Sequence, residues 1–286
     1  IAMKLDDGSH LIGVKTCAAD EDVLLATRSG KCIRFPVSRL VTKVKDGVET
    51  TSELGVRVFA GRDSVGVRGI KLAKGDEVIS LSLLRHVEAS PEERVAYLRV
   101  ASARRKAEIG EAGESEPDNN DDGSEAEAAE LDDGRIDELA AAEEFILSVT
   151  ENGFGKRTSA YDYRVTGRGG QGIVNIKTSE RNGQVIATFP IAAGDQIMLV
   201  TDGGQLIRSP VHDVRIASRR TQGVTLFKVS DDERVVSVAW LSEQSNSGGE
   251  DTDDNGENED NGENAGEIAG ENSGEIAGEN SGENED

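Results

Sequence analysis

The chain is 286 residues long and carries 55 acidic against 32 basic side chains, a formal net charge of −23, with two cysteines and three histidines. No run approaches the roughly 18 consecutive apolar residues of a membrane span, no charged-then-apolar leader opens it, and Cys17, Cys32, His10, His86 and His212 lie too far apart for zinc-ligand spacing. Neither a structural metal nor a disulfide is therefore expected, and both cysteines read as reduced core thiols of a reducing compartment.

In chain order, the tail end of a repeat comes first, around Lys4. The sequence opens at Ile1 inside that unit, so a longer parent is expected. The first full unit holds Thr27, Gly30 and Arg34, followed by Arg62, Gly66 and Lys71. Gly30 to Gly66 spans 36 positions where later copies span 19, which places about 17 extra residues near 44–59. Ser90-Pro91-Glu92-Glu93 is a capping box with proline at the first helical position, so a helix to about Lys106 is expected. Its apolar residues Val95, Leu98 and Ala101 form only a thin stripe, which reads as a largely solvated helix. Residues 110–134 have almost nothing to bury and are expected to be disordered, with a helical turn or two over 136–144.

Two copies then recur at a period of 51 residues: Thr150, Gly153, Arg157, Arg168, Gly172 and Lys177 return as Thr201, Gly204, Arg208, Arg219, Gly223 and Lys228. Within a copy the pattern is strand, turn, strand, longer loop, strand, turn, strand. In the last copy, 196–201 and 205–209 flank Asp202-Gly203-Gly204 as one hairpin, and 223–229 with 234–241 read as a second around the polar turn 230–233. Four strands in about 50 residues is the size of a propeller blade. From Ser242 a Gly-Glu-Asn array without an aromatic residue reads as a disordered polyanionic tail.

Charge follows this division. Residues 242–286 carry 16 acidic and no basic side chains, residues 86–143 carry 18 against 6, and the remaining repeats are left at +5. A mildly basic folded part with acidic appendages is the footprint of a polyanion binder. Gly167-Arg168-Gly169-Gly170-Gln171-Gly172 spells GxGxxG, yet the run after it, Ile173 to Lys177, is of β type, where a dinucleotide site needs a helix. The more informative register is that Arg62, Arg168 and Arg219 each stand four residues before the aligned glycine. Repeated at one corner of successive blades, they form a row able to track a phosphate backbone. Arg220, Arg164, Lys156, Arg157, Arg34 and Arg208 are further candidate contacts. For Arg34, Arg157 and Arg208 a purely structural role in closing strand pairs stands equally open. Lys71, Lys177 and Lys228 read as solvated sheet-face residues, Tyr161 and Tyr163 as packing or DNA contacts, and Trp240 as core. No Ser/His/Asp arrangement, close carboxylate pair or metal-ligand cluster suggests catalysis.

The segments Gly66-Val67-Arg68-Gly69-Ile70-Lys71-Leu72, Asn152-Gly153-Phe154-Gly155-Lys156-Arg157-Thr158, Glu180-Arg181-Asn182-Gly183, Asp195-Gln196-Ile197-Met198 and Thr221-Gln222-Gly223-Val224 resemble the C-terminal domain of the DNA gyrase A protein family. The resemblance covers residues 1–84 and 144–241. It implies an all-β, propeller-like β-pinwheel whose four-stranded repeats exchange strands, with about three blades in this chain. The implied domains are blades at 1–84, an acidic, partly helical insertion at 85–143, two blades at 144–241 and an acidic tail at 242–286. It further implies that double-stranded DNA wraps around the domain, in support of ATP-dependent negative supercoiling by double-strand passage. In that family the holoenzyme is a cytoplasmic heterotetramer of two gyrase A and two gyrase B proteins, and gyrase B is met through the N-terminal part. The catalytic tyrosine and its arginine also belong to that part, and ATP and Mg are used elsewhere in the holoenzyme, so no cofactor, metal or membrane is expected for this chain. Thr166-Gly167-Arg168-Gly169-Gly170-Gln171-Gly172 departs from the family's diagnostic box by lacking its leading Gln. The related protein of topoisomerase IV, or a protein-binding propeller whose acidic segments recruit partners, are the alternatives. The −16 of the tail is expected to compete with DNA for the basic edge.

Overall fold

The structure, a computed structural model, describes residues 5, 7–45, 48–56, 58, 65–109, 130–230 and 232–242. The expected disorder of 110–134, as far as residue 129, and of the tail beyond Ser242 falls outside these residues. Repeat 1 contains β1 (Glu21–Thr27), β2 (Lys31–Pro36), an inserted hairpin of β3 (Ser38–Lys45) and β4 (Val48–Gly55), and β5 (Val78–Arg85). Helices α1 (Pro91–Ile109) and α2 (Asp133–Ala141) follow. Repeat 2 has β6 (Phe145–Thr150), β7 (Phe154–Ser159), β8 (Ile173–Val174) and β9 (Val185–Ile191), and repeat 3 has β10 (Gln196–Thr201), β11 (Leu206–Pro210), β12 (Val224–Thr225) and β13 (Val235–Leu241).

The second hairpin expected in each repeat does not form, because its two runs part company. β8 joins β2 of repeat 1 in the order β5-β1-β2-β8, and β12 joins β7 of repeat 2 in the order β9-β6-β7-β12. β13, by contrast, stays in its own sheet beside β10. Repeats 2 and 3 thus each donate a short strand to the repeat before, the exchange that the family resemblance implies. The donated strand seats on the recurring turn glycine. Gly30 O accepts the N–H groups of Asn175 (2.8 Å) and Ile176 (3.2 Å), and Gly153 O those of Leu226 (2.9 Å) and Phe227 (3.2 Å).

Those glycines are required there. Gly153 has φ +75°, and a Cβ at that position would lie 2.2 Å from Phe227 O, whereas Gly204 has φ +84° in the same turn of repeat 3 with nothing within 4 Å. Gly204→Ala is therefore expected to show only the left-handed backbone penalty of about 1–2 kcal/mol. Gly153→Ala, which also displaces the donated strand, should lose at least about 2 kcal/mol more in a urea titration. Equal losses would show that the close approach does not matter.

The core is shared between neighbouring sheets. Leu24, Ala26, Cys32 and Leu84 pack with Ile146, Ala160 and Tyr163 between repeats 1 and 2, and Leu147, Val149 and Ile191 pack with Ile197, Leu199, Val211 and Val214 between repeats 2 and 3. The first of these interfaces also holds a buried polar network, in which the Tyr163 hydroxyl donates to Asn175 Oδ1 (2.6 Å) and Asn175 Nδ2 donates to Ser148 Oγ (3.0 Å) and Thr188 Oγ1 (3.1 Å). One period later the corresponding residues are Val214, Leu226 and Leu199, and the same contact is apolar.

Helix α1 starts at the expected capping box: Glu93 N–H donates to Ser90 Oγ (3.2 Å) and Ser90 N–H to Glu93 Oε2 (2.7 Å). It is not largely solvated. Tyr97 and Ala101 lie against Ile136 and Leu139 of α2 and against Tyr161, with the Tyr97 and Tyr161 rings meeting edge-on at 5.1 Å. The buried stripe is centred on Tyr97 and Ala101, with Leu98 packed at its side, and Ile136 and Leu139 of α2 form part of its cover. Among the described residues no helix is long and apolar enough to cross a membrane.

Two core assignments are corrected. Trp240 is 56% exposed near the end of β13, an edge strand of its sheet, although it stands opposite buried Ile197. Cys17 is exposed in an irregular segment, beside exposed Leu11, Ile12 and Val14. Cys32 is buried as expected, and burial pushes its thiol up to about 12.

Candidate nucleic-acid interface

In repeats 2 and 3 a long loop runs from a one-turn 3-10 helix (Ala160–Asp162, Val211–Asp213) to the donated strand. Loop 164–172 rests on the segment Gly69 to Lys71, through Lys71 N–H to Gly170 O (2.7 Å) and Gly169 N–H to Gly69 O (2.5 Å). Loop 215–222 rests on the equivalent segment one repeat later, through Lys177 N–H to Thr221 O (3.1 Å). The two loops therefore occupy the same corner of successive sheets, and the lysines lie beside them.

The arginine four residues before each glycine is built into this corner. Arg168 Nε donates to Gly55 O (2.8 Å) and its Nη1 to Arg68 O (3.5 Å), while Arg219 Nη1 donates to Val174 O (2.8 Å). Arg68 and Val174 hold the same position of the donated segment, so the recurring guanidinium fastens that segment to the next loop. Arg168 nonetheless remains exposed, and Arg164, Arg219 and Arg220 are half-buried. Arg62 lies outside the described residues. The corner also includes exposed Arg68, and exposed Lys71 and Lys177, the two lysines that the sequence reading assigned to a solvated sheet face. Their constant distance from the loop arginines was the available signal. The GxGxxG run leads into the two-residue strand β8 and no helix follows, as its β-type sequel implies.

Three candidates are withdrawn as phosphate contacts because their side chains are buried on acceptors inside the protein. Arg34, 5% exposed, donates to Asp22 Oδ2 through Nε (2.9 Å) and Nη2 (2.8 Å), to Ala160 O through Nη1 (2.8 Å) and to Arg85 O through Nη2 (3.0 Å). Arg157, 7% exposed, donates to Val214 O (2.7 Å) and His212 O (3.0 Å), and burial lowers its pKa. Each grips the 3-10 turn of the following repeat, which decides the open choice for these two in favour of structure. Arg208 holds the same place in repeat 3, where no following 3-10 turn lies among the described residues, and it is exposed with its Nε on Gln196 Oε1. Lys156 has no exposed surface, and its Nζ donates to Ser218 O and to Arg219 O (2.7 Å).

Around Arg34 the polar chain continues outward. Arg39 Nη1 donates to His86 Nε2 (3.0 Å), which puts the ring proton on Nδ1, facing Asp22 at 3.0 Å. The inserted hairpin is tied in this way to the repeat 1 clamp. Tyr161 and Tyr163 are both buried, with Tyr161 donating to Leu139 O (2.8 Å), so both are packing residues.

The sequence matches a family described as the DNA gyrase C-terminal domain, beta-propeller, over residues 21–48, 55–85, 144–192 and 195–239, together more than half of the chain. It is 53% identical over 273 residues to the DNA gyrase A protein of Granulibacter bethesdensis (strain ATCC BAA-1260 / CGDNIH1), covering 91% of this chain and 26% of that protein. With the DNA gyrase A protein of Rickettsia bellii (strain RML369-C) it shares 44% identity over 253 residues, 88% of this chain and 25% of the relative. The chain thus spans about a quarter of the length of these relatives. The solved C-terminal domain of DNA topoisomerase IV is similar with a TM-score of 0.49 at 16% identity, over 79% of this chain and 48% of that one.

Proposed function

The chain belongs to the DNA gyrase C-terminal domain family, and on that premise we propose that it binds double-stranded DNA along the loop corner and bends it around successive blades. The observation that carries this reading is the recurrence of one basic corner, with Lys71 beside the Arg168 loop and Lys177 beside the Arg219–Arg220 loop. Phosphate contacts spaced by a structural repeat fix a path without reading bases, so sequence preference is expected to be weak. Bending a site of 20–30 base pairs costs about 1–6 kcal/mol, offset by those contacts and by counterion release.

In the whole protein this wrapping would present a DNA crossing of fixed hand to a strand-passing core, in support of ATP-dependent negative supercoiling by a type II topoisomerase. The catalytic tyrosine, the ATP and Mg sites and the contact with gyrase B would lie outside this chain, in a cytoplasmic assembly of two gyrase A and two gyrase B proteins. Blades at 1–84 and 144–241, the insertion at 85–143 and the tail at 242–286 are the division we assign to it.

The test is topological. The full-length protein, bound to nicked circular DNA that is then ligated, is expected to shift the linking number of the closed product. An unshifted distribution at saturating protein excludes wrapping.

A further inference from the structure

Lys156 sits under the loop that carries Arg219 and Arg220. The aligned residue is Ile33 in repeat 1 and Ile207 in repeat 3, so a lysine here is peculiar to the boundary between repeats 2 and 3. Its Nζ reaches two successive carbonyls, Ser218 O and Arg219 O, at no solvent exposure. The same strand grips the loop at three more points: Thr158 Oγ1 donates to Ala217 O (2.9 Å), Arg157 N–H to Arg215 O (2.9 Å) and Ala217 N–H to Arg157 O (2.8 Å). In loop 164–172 the matching job is done by Gly169 N–H on Gly69 O and by Arg168 on Gly55 O.

We propose that Lys156 is a positioning residue of the interface: from below, its side-chain nitrogen holds the 215–222 loop in the shape that turns Arg219 and Arg220 toward a DNA phosphate. This rests on the DNA-binding reading above. The chemistry of the site makes the hold dependent on pH. Burial brings the Lys156 amine down to about 7, and the groups facing it are Cys32 from β2, Asp162 from the 3-10 turn and Arg219 from the loop itself. The closed loop therefore favours the neutral amine, and opening rehydrates it. Between the ordinary value of 10.5 and about 7, each unit of falling pH shifts the balance toward the open loop by up to about tenfold.

The experiment uses the full-length protein as wild type, Lys156→Met and Lys156→Gln. Hydrogen exchange at the Ala217 and Lys177 amides, whose acceptors are Arg157 O and Thr221 O, reports the closed loop, and titration with a short DNA duplex reports its use. In the wild type, protection corrected for intrinsic rates is expected to rise at least about tenfold from pH 7 to pH 9. Both variants should lose this rise, because neither side chain titrates. Lys156→Met should bind the duplex about tenfold more weakly, while Lys156→Gln, which keeps amide donors, stays close to wild type. A pH slope retained in Lys156→Gln, or Lys156→Met binding at wild-type strength with a loosened loop, overturns the proposal. A wild type that binds no duplex would overturn the DNA reading instead, with the exchange data still deciding whether Lys156 holds the loop.

Discussion

Arg34→Ala is expected to lower the unfolding free energy by about 3–5 kcal/mol, while Arg208→Ala, at the same position of repeat 3, stays within about 0.5 kcal/mol of the parent. The difference follows from what each guanidinium serves. Arg34 is the main partner of Asp22, a carboxylate with no exposed surface. Removing it leaves that charge in the interior with His86 Nδ1, at 3.0 Å, as its remaining side-chain contact among the described residues. The carbonyls of Ala160 and Arg85 lose a donor at the same time, and each buried acceptor left unmade costs about 1–3 kcal/mol. Because Asp22 and Arg85 belong to repeat 1 and Ala160 to repeat 2, the loss falls on the boundary between repeats. Lysine should recover only part of it, since an ammonium on a flexible stem does not reproduce a planar fork aimed at three acceptors. Arg208 is exposed with Gln196 as its partner, so its removal resembles an ordinary surface substitution. Urea titrations with matched m-values decide the matter, and equal midpoints for the two variants would show that Arg34 is no clamp.

The strands of this fold were legible in the sequence, and their membership in sheets was not. The 51-residue period, the turn glycines and the apolar runs placed β10 and β11 within a residue or two. The pairing of β8 and β12 depends on a carbonyl in the preceding repeat, Gly30 O or Gly153 O, and local alternation contains no sign of which hairpin will use it. Only the family resemblance implied the exchange. The same physics explains the misread arginines. In a stacked array every residue of the repeat-to-repeat contact recurs with the period, so Arg34 and Arg157 recur because the 3-10 turn they grip recurs, whether or not a ligand is present. Lys156 does not recur at all, and a lysine beside a glycine in a short strand reads as solvated until a loop some 60 residues later closes over it. α1 was misjudged for a related reason. Its own stripe is thin, and the cover that makes Tyr97 a core residue arrives from Ile136, Leu139 and Tyr161. Trp240 erred in the opposite sense: an apolar strand residue implies a cover, yet near the end of the edge strand β13 its side chain is left largely exposed.

Lys71, Lys177 and Arg220 offer a way to test the DNA path without disturbing the scaffold. Arg168 and Arg219 are poor probes, because each also fastens a donated segment, and their loss would mix instability with lost contacts. The two lysines are exposed and Arg220 is half-buried at the same corner. If each neutralises one phosphate, the triple variant Lys71→Gln, Lys177→Gln, Arg220→Gln releases about three fewer counterions on binding. A plot of log affinity against log salt should then be less steep by about 2.7, at about 0.9 per phosphate. The factor by which the parent outbinds the variant would shrink about 40-fold as salt rises from 50 to 200 mM. Unfolding free energy should stay within about 0.5 kcal/mol, since none of the three replaces a buried group. An unchanged slope would place the DNA elsewhere on the molecule. A weaker affinity at an unchanged slope would mean that these side chains act by shape rather than by charge, and the curved electrostatic path would have to be given up.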